Sequence, residues 1–137
     1  MLSVRPLKPE DYDDHLVGWW KDWKWQAPPR DFLPMDATAG VMVEDDGVPV
    51  FAGFFYTTNS AVCWIDWIIS STTYRGRDKR QEALELLIDA INKVVKSLGY
   101  KYAYALIKHR GLIDTYVKKG FTQGDVYSSE MIKANRS

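Results

Sequence analysis

The run Tyr74-Arg75-Gly76-Arg77-Asp78-Lys79-Arg80 lies between an apolar stretch, Val62 to Ile69, and a stretch of helical periodicity, Ala83 to Leu98. A basic turn that contains glycine and opens a helix is a natural anion site. Free backbone N–H groups and the positive end of the helix dipole point at whatever sits there. The spacing therefore predicts a phosphate-bearing ligand near residues 75–82, with Arg75, Arg77, Lys79 and Arg80 adding side-chain charge. The plainer reading is a solvated helix start. Other chemistries have less material. His15 and His109 are the only histidines, which leaves little for a Ser–His site, and no Cys/His or His/His spacing suits zinc, so no metal is expected. No Gly-x-Ser-x-Gly elbow or Walker loop is present. Cys63, the only cysteine, lies in the apolar run and reads as a buried, inert thiol.

Composition bounds the class. The chain has 137 residues, of which 46% are hydrophobic and 26% charged, so one globular domain over residues 1–137 is expected. Eighteen basic residues balance eighteen acidic ones, which gives no global pull towards nucleic acid. Tyr and Lys interleave near Tyr100 to Lys108, too little to suggest RNA binding. The N-terminal stretch lacks an apolar leader and no spanning helix is visible, so a cytoplasmic protein without a membrane partner is expected.

The elements that must position the basic turn follow from pattern. Ser3 to Leu7 reads as a short strand, and Lys8-Pro9-Glu10-Asp11 as the start of a helix running to about Trp23. Pro28, Pro29 and Pro34 make residues 26–36 a loop or a broken helix. Gly40–Glu44 and Val48–Thr58 form a hairpin about Asp45-Asp46-Gly47. Val62–Ile69 is apolar on both faces and reads as a central strand. Ala83, Leu84, Leu86, Leu87, Ala90, Ile91, Val94 and Val95 recur at helical spacing, and Gly99 closes that helix. Tyr102–Lys108 reads as a strand. Leu112, Ile113, Tyr116 and Val117 mark a short helix closed by Gly120, and Phe121–Thr122 and Tyr127–Lys133 read as closing strands.

In that order of elements the chain resembles the GNAT superfamily of acyl-CoA-dependent N-acetyltransferases over nearly its whole length. Val4-Arg5-Pro6-Leu7-Lys8-Pro9-Glu10-Asp11 is similar to the family's first strand and helix start, and Tyr74-Arg75-Gly76 to the start of its pyrophosphate loop. Tyr116-Val117-Lys118-Lys119-Gly120-Phe121 carries the most specific match, Tyr-x-x-x-Gly-Phe. The resemblance implies an α/β (α+β) fold: a mixed, mostly antiparallel central sheet with splayed parallel strands in the middle and helices on both faces. It implies acetyl-CoA in a cleft between Val62–Ser70 and Tyr102–Lys108, with backbone groups of Ile68, Ile69 and Ser70 on the pantetheine arm. The family loop reads Arg-Gly-x-Gly-x-Gly or Ala. Counted from Arg75, its later small residues fall on Asp78 and Arg80; a second register ends at Ala83 and needs a longer turn. Both registers remain open.

The resemblance also implies roles. Direct transfer of an acetyl group to a primary amine needs a base, a polariser of the thioester and an acid for the leaving thiolate. Asp66 is the base candidate, the only charged residue between Val62 and Ile69, and apolar burial raises a carboxyl pKa. The alternative is a structural Asp bonded to a neighbouring strand or a Tyr hydroxyl. Tyr116 matches the family's general acid; the alternative is a core aromatic. His109 stands where the family has a cofactor-contacting Asn. Trp20, Trp23 and Trp25, of the Trp19–Trp25 cluster, fall where the family lines its acceptor pocket; alternatively two of the four tryptophans are core and the rest cover the loop. The expected partners are acetyl-CoA and an amine on a small molecule or a protein, with the enzyme a monomer or homodimer. The competing reading is a GNAT-like fold without chemistry, serving as a binding or assembly module.

Overall fold

The structure, a computed structural model, describes residues 1–126 and 129–135. The chain divides into two compact units, Met1–Ala105 and Leu106–Ser137. The first contains β1 (Leu2–Pro6), a π-helical turn (Tyr12–Leu16) running into α1 (Val17–Asp22), a 3-10 turn (Arg30–Phe32), β2 (Gly40–Asp45), β3 (Val48–Tyr56), β4 (Val62–Ser70), α2 (Arg77–Ser97) and β5 (Tyr102–Tyr104). The strands form one sheet in the order β1-β2-β3-β4-β5. All neighbours are antiparallel except β4 and β5, which the α2 crossover makes parallel. The predicted β2–β3 hairpin turns through Asp46 and Gly47 at φ +51° and +81°, the mirror-image turn that matches strand twist.

Alternation along the strands separates two apolar faces. Met42, Ala52 and Phe54 join Leu16, Trp19 and Trp20 from the first helical segment. On the other face, α2 buries Ala83, Leu87, Ile88, Ile91 and Val95, and β3 is its main packing partner. Each fully buried leucine or isoleucine there contributes about 2 kcal/mol of transfer free energy. Helices thus cover both faces of the sheet, as expected. Arg5 fastens the first helical segment. Its guanidinium donates to both Asp11 oxygens at 2.8 and 2.9 Å and to Glu44 at 2.9 Å. Asp11 is only 2% exposed and also accepts the Lys8 N–H, so the buried charge is fully paired. Burial opposes ionisation of Asp11, but Arg5 and the Lys8 N–H together outweigh it and hold the carboxyl below its ordinary range.

Several expectations are corrected. The first helix is a π-helical turn followed by a short α-helix ending at Asp22, and α2 begins at Arg77, ahead of its first buried residue, Ala83. β5 covers three residues rather than continuing to Lys108. The second unit contains α3 (Arg110–Lys118), whose C-terminus turns at Gly120 as expected. Its residues 121–126 and 129–135 lie in no strand, so the closing strands are not found among the described residues; Tyr127 and Ser128 of the second lie outside them. Val126, Met131 and Ile132 are exposed there, and a strand needs a partner and a buried face to persist. Among the described residues β5 therefore ends the sheet.

Candidate active site

The candidate site lies where β4 ends and α2 begins. β3 pairs Phe54 with Asp66 and Ala52 with Ile69, so β4 takes one residue more than its partner over this stretch. The result is a β-bulge about Trp67, whose φ is +60°. A bulky residue in the left-handed region costs about 1–3 kcal/mol and persists only where its surroundings hold it. Asp66 Oδ1 accepts the Trp67 N–H at 2.7 Å, and Trp67 Nε1 donates to the Tyr56 hydroxyl at 2.8 Å. Trp20 and Phe32 meet the Trp67 ring edge-on, with centroids 6.2 and 6.0 Å away. The Tyr56 hydroxyl in turn donates to the Phe32 carbonyl at 2.9 Å. Burial raises the Tyr56 pKa, which keeps the phenol a donor.

The bulge redirects the strand. Asp66, half-buried, follows Trp64 on the α1 face, Ile68 is half-buried, and Ile69 joins the core. Parallel pairing stops at Trp64 and Tyr104, so from Ile65 to Ser70 the outer edge of β4 has no strand beside it among the described residues. An unpaired edge offers backbone donors and acceptors to an extended ligand. At Ser70 part of that offer is withdrawn: its carbonyl accepts Trp23 Nε1 at 2.8 Å and its hydroxyl accepts Arg80 at 2.6 Å.

Gly76 immediately precedes α2 with φ +111°, a conformation that excludes residues with a Cβ. No side chain caps the helix. The N–H groups of residues 77–79 have no acceptor within the helix, whereas the Arg80 N–H is taken by the Gly76 carbonyl at 2.9 Å. Backbone capture of an anion thus narrows from the predicted 75–82 to the first turn. Arg75, Arg77, Asp78 and Lys79 are exposed around it, so the one carboxylate of this turn works against the three cations.

Arg80 faces inward. Its guanidinium donates to the carbonyls of Ser71 at 3.0 Å and Tyr74 at 2.7 Å, besides the Ser70 hydroxyl. It also lies 5.0 Å from the centroid of Phe51 and 5.8 Å from that of Trp23. Burial lowers its pKa. Arg80 buckles the turn from within. Tyr74 braces the same turn from outside by donating to Asp45 at 2.9 Å; burial, then Asp45, pushes its pKa up to about 12. Lys79 and Glu82 line an open depression of about 350 Å³ there, with Asp45, Asp46 and Tyr74. Its carboxylates make it a poor phosphate site, so the uncapped turn and not this depression is the anion candidate.

The tryptophan cluster divides. Trp19 and Trp20 are core, at 7% and 1% exposure; Trp23 and Trp25 lie outside it, at 40% and 59%. In the second unit, His109 is the N-cap of α3, its Nδ1 accepting the Leu112 N–H at 3.4 Å. Tyr116 is buried and packs edge-on to Phe121 at 4.8 Å, and the Phe121 N–H bonds the Tyr116 carbonyl. The Tyr-x-x-x-Gly-Phe spacing is thus a ring pair closing a helix end. Sequence reading missed Tyr56 and the inward Arg80. The bulge left a trace: Trp64 and Asp66 alternate, and Trp67 breaks the alternation.

No sequence-family profile matches the chain, and a search of curated proteins finds no match. Solved structures do match. An aminoglycoside acetyltransferase from an uncultured soil metagenomic sample superposes with TM-score 0.70 at 12% identity, over 96% of this chain and 97% of its own. A ribosomal-protein-alanine N-acetyltransferase from Brucella melitensis superposes with TM-score 0.66 at 20% identity, over 99% of each chain. N-acetylglutamate synthase from Neisseria gonorrhoeae, complexed with coenzyme A and N-acetyl-glutamate, superposes with TM-score 0.66 at 15% identity, over 91% of this chain and 29% of its own. At these identities the likeness is one of architecture: the chain has the GNAT acetyltransferase fold.

Proposed function

We propose that residues 1–137 form an acetyl-CoA-dependent N-acetyltransferase that moves an acetyl group directly to a primary amine. The observation that carries this reading is the uncapped α2 N-terminus, with Gly76 before it and Arg75, Arg77 and Lys79 around it, one turn after the edge of β4 that has no strand beside it among the described residues. The residues fit the group: a pyrophosphate suits three free N–H groups at a helix start with cationic side chains beside them. Asp78 subtracts from that fit without removing it.

Acetyl-CoA supplies the acetyl group as a thioester. Arg75, Arg77, Lys79 and the first-turn N–H groups of α2 hold the pyrophosphate, and Arg80 keeps their turn in shape. Backbone groups of Ile68 to Ser70 line the pantetheine arm. Asp66 takes a proton from the acceptor ammonium, directly or through water, which frees the nitrogen lone pair for attack. Bound acetyl-CoA would offer its thioester carbonyl to that attack; as a C–N bond replaced the C–S bond, Tyr116 would protonate the departing sulfur, and the second proton lost from the nitrogen would restore the phenol. No acyl-enzyme is involved. His109 contributes to the cofactor site from the start of α3, and Trp23 and Trp25 to the acceptor side.

The competing reading, a binding module without chemistry, draws on Asp78 in the anion turn and on Arg80 where a small residue belongs. A screen separates the two. The full chain is incubated with acetyl-CoA and a panel of amines, and release of the free thiol is followed with a thiol reagent. Amine-dependent release supports the transferase. No release with any amine, in protein that binds acetyl-CoA, supports the module.

A further inference from the structure

The peptide between Ser70 and Ser71 donates its N–H inward, to the Val50 carbonyl of β3 at 2.9 Å. Its carbonyl therefore points the other way, out from the edge of β4 that has no strand beside it among the described residues. Trp23 Nε1 donates to that carbonyl at 2.8 Å. The centre of the same ring is 5.8 Å from the Arg80 guanidinium, which itself bonds the Ser70 hydroxyl. One side chain thus sits at the joint between the strand edge and the anion turn. All of these residues belong to the first unit. The backbone of Trp23 is held firmly and its ring is held by less. Its N–H bonds the Trp19 carbonyl at 3.1 Å, and α1 closes behind it, with Lys24 at φ +65° and the Trp25 N–H on the Trp20 carbonyl at 2.9 Å. Trp19 and Trp20 are locked in the core, whereas the Trp23 ring is exposed. An exposed ring with one hydrogen bond and one cation contact can leave by side-chain rotation, with α1 in place.

We propose that Trp23 is a latch on the cofactor groove: its indole occupies the backbone acceptor at Ser70 and is displaced when the pantetheine arm of an acyl-CoA enters. The inference rests on the acetyltransferase reading and adds regulation of its cofactor site. The two donors are chemically alike. Each amide of a pantetheine arm carries an N–H, as the indole does, and both suit the Ser70 carbonyl. A carbonyl has two lone pairs, but an indole bonded at 2.8 Å also fills the space outside the strand that an arm along this edge needs. The anion turn uses separate groups. Its N–H groups without a helical acceptor belong to residues 77–79, and Arg80 keeps its bonds to Ser70, Ser71 and Tyr74 when the ring leaves. The latch therefore acts on the arm and not on the pyrophosphate.

Calorimetric titration of the full chain with two probes separates arm from phosphate. One is acetyl-CoA. The other is adenosine 3′-phosphate 5′-diphosphate, which ends at the pyrophosphate and has no arm. Trp23→Phe keeps a ring beside Arg80 and deletes the indole N–H. It should bind acetyl-CoA about fivefold more tightly, the equivalent of one net hydrogen bond, and the diphosphate as the wild type does. A second measurement needs no variant: the Trp23 indole N–H of the wild type, followed by NMR. Saturating acetyl-CoA should shift that resonance and speed its exchange with water, and the diphosphate should do neither. Unchanged or weaker acetyl-CoA affinity in folded Trp23→Phe overturns the latch. An equal gain for the diphosphate also overturns it, because the ring then acts on the turn. Acetyl-CoA binding with the indole N–H still protected defeats the latch alone. No acetyl-CoA binding by wild type or variant defeats the transferase reading and the latch together.

Discussion

Removing the Arg80 head group tests how the anion turn is held. Arg80→Met keeps an unbranched apolar side chain and deletes the donors to Ser70, Ser71 and Tyr74, with the guanidinium that lies over Phe51. Each such bond contributes about 1 kcal/mol net. The guanidinium is partly desolvated, as its lowered pKa records, so its removal returns part of that sum. A net loss of about 2 kcal/mol is expected, or about 6 °C in melting temperature for a chain of this size. The turn positions the first N–H groups of α2, so acetyl-CoA affinity should fall with it. Arg80→Lys decides between holding the turn and touching phosphate. Lysine keeps the charge but lacks the planar fork that reaches two carbonyls and a hydroxyl at once. A buckle therefore loses stability in both variants, at high salt as at low salt. A phosphate ligand would keep its affinity as lysine, and added salt would shrink the effect of methionine. Thermal denaturation and acetyl-CoA titration at two ionic strengths measure both quantities. Arg80→Met melting with the wild type, or Arg80→Lys restoring stability and affinity together, would refute the reasoning.

Tyr116→Phe keeps the ring against Phe121 and removes the proton donor, so turnover with a competent amine should fall about 10²–10⁴-fold at unchanged acetyl-CoA affinity; wild-type turnover returns Tyr116 to a packing role. Asp66→Asn retains an oxygen to accept the Trp67 N–H but loses the base, so the variant should fold, bind acetyl-CoA and lose most activity. Lost stability with specific activity retained in the folded fraction would make Asp66 a brace of the bulge only. For Tyr74 the sign follows from a raised folded-state pKa. The unfolded phenol ionises near 10.0 and the folded one near 12, so its stabilisation is full below pH 10 and is lost as pH rises towards 12. Urea titrations of wild type and Tyr74→Phe should show the wild-type advantage shrinking over that interval; a constant difference contradicts the Asp45 bond.

Much of the frame was legible because the signals are local. The Asp45-Asp46-Gly47 turn demands positive φ, and the α2 face follows from apolar spacing. The basic turn at 75–77 announced the α2 N-terminus, though not that the helix starts at once after Gly76. What stayed hidden depends on tertiary partners. The broken alternation at Trp67 marks an irregular strand but not a left-handed aromatic residue, because Tyr56, Trp20 and Phe32 hold it from three other segments. Arg80 reads as a fourth solvent-facing cation until Ser70, Ser71 and Tyr74 fold around it. Of the two readings of the Trp19–Trp25 cluster, an acceptor wall or two core rings with two outside, burial follows the second: Trp19 and Trp20 are core, and Trp23 and Trp25 lie outside it. The second proposed closing strand has apolar residues enough, yet Met131 and Ile132 find no burial.

The central claim is that the turn at the start of α2 captures the pyrophosphate of acetyl-CoA. Calorimetric titration of acetyl-CoA into the full chain, beside the Arg75→Ala/Arg77→Ala double variant, tests it most directly. The account predicts one site per chain in the wild type. Saturation at about 100 times the dissociation constant should add about 2.7 kcal/mol of stability. The double variant should keep its fold and bind more weakly, with the largest deficit at low salt. No binding to the wild type, or equal binding to a folded double variant, contradicts the claim.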